Sequence, residues 1–186
     1  MRNTEVNHHE SQCDVPNFHM EPWNKAILIT LRNCVRTAWN RASLRHHCRN
    51  TGELLYIFDA EDTVGKDHIP TNMEQKAIIA ALPINKTKKL AYRLEAAIGM
   101  DVMVTMNITT EADLANGSHR KIKDIILDCR EHLVDEDIDE DSIVWLQYPP
   151  AMILFEPIHH EFDPFPGLDP GLIPLFPSEY LFNIGY

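Results

Sequence analysis

The sequence predicts an α/β unit that passes into a small antiparallel β unit, and three observations carry that expectation. A short β-type run, AILIT (Ala26 to Thr30), precedes Val35, Trp39 and Ala42 at helical spacing, and a second run, ELLYIFDA (Glu53 to Ala60), follows just after Gly52. Between Met100 and Glu156 the apolar residues fall instead into short runs separated by turn signals, the pattern of an antiparallel unit. The last thirty residues hold six of the chain's twelve prolines, which excludes long regular elements there.

Taken in order, residues 1–22 are polar, contain Pro16 and Pro22, show no apolar period and read as a flexible lead-in. The helix that follows AILIT carries Arg32 and Arg36 four apart, and Arg41, Arg45 and Arg49 repeat the step, so guanidinium groups lie along roughly one side. Such a row is ordinarily a solvated face, and its functional alternative is a phosphate-contacting surface. Thr71-Asn72-Met73-Glu74 has the T-x-x-E form of a capping box ahead of Met73, Ala77, Ile78 and Ala81, and Pro83 should stop that helix near Leu82. Lys86, Lys88 and Lys89 then share a loop. MDVMVTMNIT (Met100 to Thr109) and KIKDIIL (Lys121 to Leu127) are strand-like, and the Asn116-Gly117 pair between them marks a hairpin turn. DEDIDED (Asp135 to Asp141) is a self-repelling acidic loop, followed by the strand candidates IVWLQY (Ile143 to Tyr148) and AMILFE (Ala151 to Glu156).

The chain has 186 residues, 17 basic against 28 acidic side chains and a net charge of −11, with 44% hydrophobic residues, enough for a real core. The sequence contains no apolar run of eighteen residues, and the opening MRNTEVNHHESQC lacks the apolar stretch of a signal peptide, so neither a membrane span nor secretion is expected. Cys13, Cys34, Cys48 and Cys129 are irregularly spaced without a C-x-x-C pair, which implies reduced thiols, with Cys34 read as a buried apolar one. The acidic balance argues against a free-standing nucleic-acid binder but leaves room for a local basic face.

Most catalytic constellations fail on their own chemistry. Gly65-Lys66 is not a phosphate loop, because Ala60 stands where the first glycine belongs and Asp67 where the magnesium-binding hydroxyl belongs. No metal site is expected: His46, His47 and Cys48 are adjacent on a helix and diverge, and His159-His160-Glu161 lacks the i, i+4 histidine pair. No serine sits in a G-x-S-x-G setting. A contact surface remains, with Arg32, Arg36, Arg45, Lys86, Lys88 and Lys89 for phosphates and Trp39, Tyr92 or Trp145 for base stacking, although each aromatic alone reads first as core.

Four stretches resemble one family in order and spacing: ILITLRNCVRTAWN (Ile27 to Asn40), AEDTVGKD (Ala60 to Asp67), GMDVMVTMNITTEADLANGS (Gly99 to Ser118) and QYPPAMILF (Gln147 to Phe155). They are similar to the C-terminal half of petite-integration-frequency-type (PIF-like, RecD-like superfamily one) ATP-dependent DNA helicases, in the variant of fungi and Helitron transposons. The pattern formed by Leu94, Gly99, Val102, Met103, Asn107, Thr110, Leu114, Asn116 and Gly117 carries most of the likeness. The resemblance implies a partial RecA-like (P-loop NTPase) second motor domain over residues 23–117, a small Src-homology-three-like β-barrel inserted over 118–157, and a Pro-rich tail over 158–186. It implies that Arg32, Arg36 and Asn40 sit on the DNA-facing or nucleotide-proximal side of that domain, and Lys86, Lys88 and Lys89 of the contact surface above are candidate nucleic-acid contacts beside them.

Leu31 and Asn33 depart from the family's proline and histidine. Arg120 stands where a second glycine is usual, and strain follows if that position needs a positive φ. The family uses ATP and magnesium, but the phosphate loop, the magnesium-binding motif and the first motor domain would precede Met1, so this chain is expected to hold no cofactor and not to hydrolyse ATP alone. The resemblance further implies an intracellular, nuclear protein of DNA repair and recombination, whose partners are single-stranded DNA and the missing N-terminal helicase domain. The alternatives are a non-enzymatic nucleic-acid or protein-binding module and an inactive relic of a transposon-derived helicase.

Overall fold

The computed structural model describes residues 20–21, 28–65, 69–82, 86–87, 91–103, 117, 119–133, 142–157 and 163–182. The chain divides into two compact units, residues 1–39 and residues 40–186.

In the first unit the described residues of the AILIT run, Leu28 to Thr30, form no strand. Thr30 is drawn instead into the start of helix α1 (Asn33–Thr51), its Oγ1 accepting the Arg32 N–H at 3.2 Å. A threonine hydroxyl so engaged competes with strand pairing. Cys34 is exposed, and the buried thiol among the described residues is Cys48.

In the second unit β1 (Leu55–Asp59) lies at the centre of a three-stranded sheet. It pairs antiparallel with β4 (Arg93–Ala96) and parallel with β7 (Ile143–Leu146). A central strand must be apolar on both faces, and β1 is. Leu55 and Ile57 pack with Leu44 and Cys48 of α1 and with Ala97, whereas Phe58 joins Ala96, Val144, Leu146, Ile122, Ile125 and Phe155 on the other side.

That second cluster brings in a four-stranded antiparallel sheet in the order β5 (Asp101–Met103), β6 (His119–Ile126), β8 (Met152–Pro157) and β9 (Ile173–Leu175). The β6–β8 register shifts between Ile122 and Asp124, which inserts one residue and brings Ile122 and Ile125, three apart, to the same core. Without that shift, strict alternation would send one of them to solvent.

The strands are grouped differently from the sequence-based division. β7, assigned with the barrel, pairs with β1, and β5, assigned with the motor domain, pairs with β6. The Pro-rich tail contributes β9, which accommodates Pro174 because it is an edge strand paired only with β8. Gly117 has φ +94°, as the hairpin turn requires, while Asn116, Lys88 and Lys89 lie outside the described residues. Arg120 is an ordinary strand residue, since Ser142 is the one non-glycine with positive φ among the described residues.

A two-stranded ribbon, β2 (Thr63–Val64) with β3 (Ile69–Pro70), leads into α2 (Met73–Ala81). The helix ends at Leu82 as Pro83 predicts, but its capping box sits one residue later than the sequence pattern suggested. Asn72 Oδ1 accepts the Gln75 N–H at 2.8 Å and Gln75 Oε1 accepts the Asn72 N–H at 2.9 Å. Thr71 is buried and hydrogen-bonded to the Asp62 carbonyl, and so is not the cap.

Candidate nucleic-acid interface

The arginine row of α1 separates into two groups once side-chain partners are traced. Arg41 Nε and Arg45 Nη1 each donate to Glu95, at 2.9 Å to Oε1 and 2.9 Å to Oε2. Glu95 lies opposite Ile57 in the β1–β4 register, on the sheet face that α1 covers, so both arginines tie the helix to β4. Each of the two thus commits one guanidinium nitrogen to Glu95.

Arg32 and Arg36 are exposed in the first unit, and neither forms an ion pair among the described residues. Their backbones are joined by the Arg36 N–H donating to the Arg32 carbonyl at 3.1 Å. Asn40 is exposed on α1 at the start of the second unit, and Lys86 is exposed in a turn. Gly117 is far along the chain, in the β5–β6 connection, where it acts on the backbone alone.

Of the aromatic candidates, Trp145 is the exposed one, on edge strand β7. The Arg93 guanidinium lies 4.8 Å from its ring centroid and also donates through Nε and Nη2 to the two Asp59 oxygens, at 2.6 and 3.0 Å. That pairing holds the Asp59 carboxyl below its ordinary range. The Tyr92 hydroxyl is hydrogen-bonded to Asp59, and burial together with that carboxylate pushes its pKa up. Trp39 is half-buried in the first unit.

A second electrostatic cluster, absent from the sequence reading, surrounds Arg130. It donates to both oxygens of Glu61 at 3.1 Å and to Asp128, and its guanidinium lies 4.0 Å from the Tyr148 ring centroid. Glu131 Oε2 accepts the backbone N–H groups of Gln147 and Tyr148. Arg130 draws the Asp128 carboxyl down to about 2. These bonds join the loops after β1, β6 and β7 into one structural tie.

His46, His47 and Cys48 diverge: His46 meets Asn50, His47 meets the Ile98 carbonyl at 2.8 Å, and Cys48 is buried, its thiol pKa raised by desolvation. No group of three or more metal-ligating side chains converges among the described residues. A cleft of about 180 Å3 lies beside Ala60, Asp62, Ile79, Leu82, Tyr92 and Phe182. Its residues come from four separate segments, so no sequence motif announced it. No protein-family model, curated protein or solved structure matches the chain.

Proposed function

We propose that the chain is a fragment derived from a PIF-like, Helitron-type ATP-dependent DNA helicase, one that contacts single-stranded DNA and does not hydrolyse ATP by itself. The observation that carries the contact is the exposure of Arg32 and Arg36, which keep their guanidinium groups unpaired among the described residues while Arg41 and Arg45 are engaged by Glu95. Guanidinium groups one helical step apart suit successive phosphates of an extended strand. Asn40 and Lys86 are further candidate contacts. A parallel strand pair beneath a helix, followed by antiparallel strands, is compatible with a partial motor domain carrying a β insertion. A nuclear location follows from the same resemblance.

The net charge of −11 favours a second reading, a protein-binding module of the same ancestry. Fluorescence anisotropy of a labelled single-stranded oligonucleotide at low and moderate salt separates the two. Saturable binding that weakens with salt is expected, because phosphate contacts release counterions. A chain that unfolds cooperatively yet leaves the oligonucleotide free would overturn the DNA reading.

A further inference from the structure

The cleft beside α2 differs chemically from the arginine surface. Its walls come from the loop after β1, the C-terminal part of α2, the residues leading into β4, and Phe182. Ile79, Leu82, Ala91 and Phe182 make it largely apolar, and Asp62 is the one charged side chain among its described lining residues. The Tyr92 hydroxyl is already engaged with Asp59.

The Asp62 carboxylate accepts no hydrogen bond and forms no ion pair among the described residues, and its Oδ2 is sealed from solvent without a partner. Lys76 acts on it only through space, and burial outweighs that attraction, raising the carboxyl pKa. A half-buried anion without donors is an unsatisfied group, and a ligand whose donors reach the carboxylate gains the interaction.

We propose that this cleft binds a small organic cation, in which one ring or short apolar stem carries an amidinium, guanidinium or primary ammonium group. The nitrogen donors meet the Asp62 carboxylate, and the apolar body packs against Ile79, Leu82 and Phe182. Size supports a single ring, because a cavity of about 150 Å3 already accommodates benzene. Charge supports a cation, since among the described residues Asp62 has no competing arginine or lysine in hydrogen-bond contact. The proposal is independent of the DNA-contact reading.

Benzamidine is the probe, with the uncharged, similarly shaped benzamide as its comparison, and binding is followed by methyl NMR of Ala60, Ile79, Ala80 and Ala91. Benzamidine is expected to shift these methyls saturably and to bind about tenfold more tightly than benzamide, the effect of one charge-assisted contact. Asp62→Asn should remove that preference, and Ala91→Leu, which narrows the cleft while keeping Asp62, should weaken both ligands. Shifts confined to other methyls, or unsaturable shifts, would overturn the proposal. So would a folded Asp62→Asn variant that retains the full preference. If Asp62→Asn does not fold, Ala91→Leu decides, and wild-type benzamidine affinity in that variant refutes the site.

Discussion

Arg41 and Arg45 should matter for stability and not for DNA, and the geometry gives the size of the effect. The Glu95 side chain is 14% exposed, whereas Arg41 and Arg45 are 55% and 32% exposed. Removing both arginines leaves a largely buried carboxylate unpaired, which costs about 2–4 kcal/mol after discounting the value for a fully buried pair. Removing the acid instead, in Glu95→Ala, leaves two arginines that rehydrate readily and costs about 1 kcal/mol. The double arginine variant must therefore be the less stable of the two, although it retains the acid that both arginines serve. Urea unfolding with an unchanged m-value measures this ordering, and oligonucleotide anisotropy on the same proteins supplies the second readout. The Arg32→Ala, Arg36→Ala double variant should show the reverse, with unaltered unfolding and a salt slope lowered by about 1.4, two contacts at roughly 0.7 each for a single strand. Equal stability losses for Glu95→Ala and the Arg41, Arg45 pair, together with weakened DNA binding by the latter, would refute the partition of the row.

Gly117→Val should lower the melting midpoint through backbone strain of about 1–2 kcal/mol, because φ is +94° and no neighbouring atom lies within 4 Å of an added Cβ; an unchanged midpoint counts against the turn. Asn72→Ala should destabilise by about 1 kcal/mol in chemical denaturation, since both arms of the capping box pass through Asn72. Asp59 and Asp62 should have opposite pH signatures. Asp59 has a folded pKa below its unfolded value, so its stabilising contribution is present above the unfolded value and lost as pH falls through the folded one. Asp59→Asn should therefore destabilise at pH 7, with the difference disappearing in acid. Asp62 has a raised folded pKa, so stability declines as pH rises through that value; Asp62→Asn should raise the melting midpoint at pH 7, with the gain vanishing below the ordinary carboxylate range. Thermal unfolding between pH 3 and 7 checks both signs.

Local features of the fold were legible where one segment determined them. The helix after Thr30, the apolar run from Leu55 to Phe58 and the stop imposed by Pro83 need no distant information. Strand partnership was less legible because pairing is a long-range choice: nothing in IVWLQY indicates a parallel partner nearly ninety residues earlier, nor that Ile173 to Leu175 would add an edge beside β8. The capping register failed for a nearer reason, since Thr71 and Asn72 are both good caps and the choice rests on the Asp62 carbonyl that engages Thr71.

The candidate site repeats that lesson in electrostatic form. Five arginines at helical spacing look equivalent in sequence, because spacing reports which side of a helix they share and nothing about what faces that side. Glu95, fifty residues beyond Arg45, makes them unequal: it lies on the α1-facing side of β4 and takes two of them. Its own position follows from the strand period, since Ala97, two residues later, faces the same way into the apolar cluster beneath α1. The acid is therefore placed by the β period of one segment and the arginines by the helical period of another, and only the packing of helix on sheet brings them together. At the start of the row Arg32 and Arg36 are exposed without an opposing carboxylate among the described residues. Any DNA affinity of the chain should accordingly be more sensitive to those two residues than to the more numerous cations that follow them.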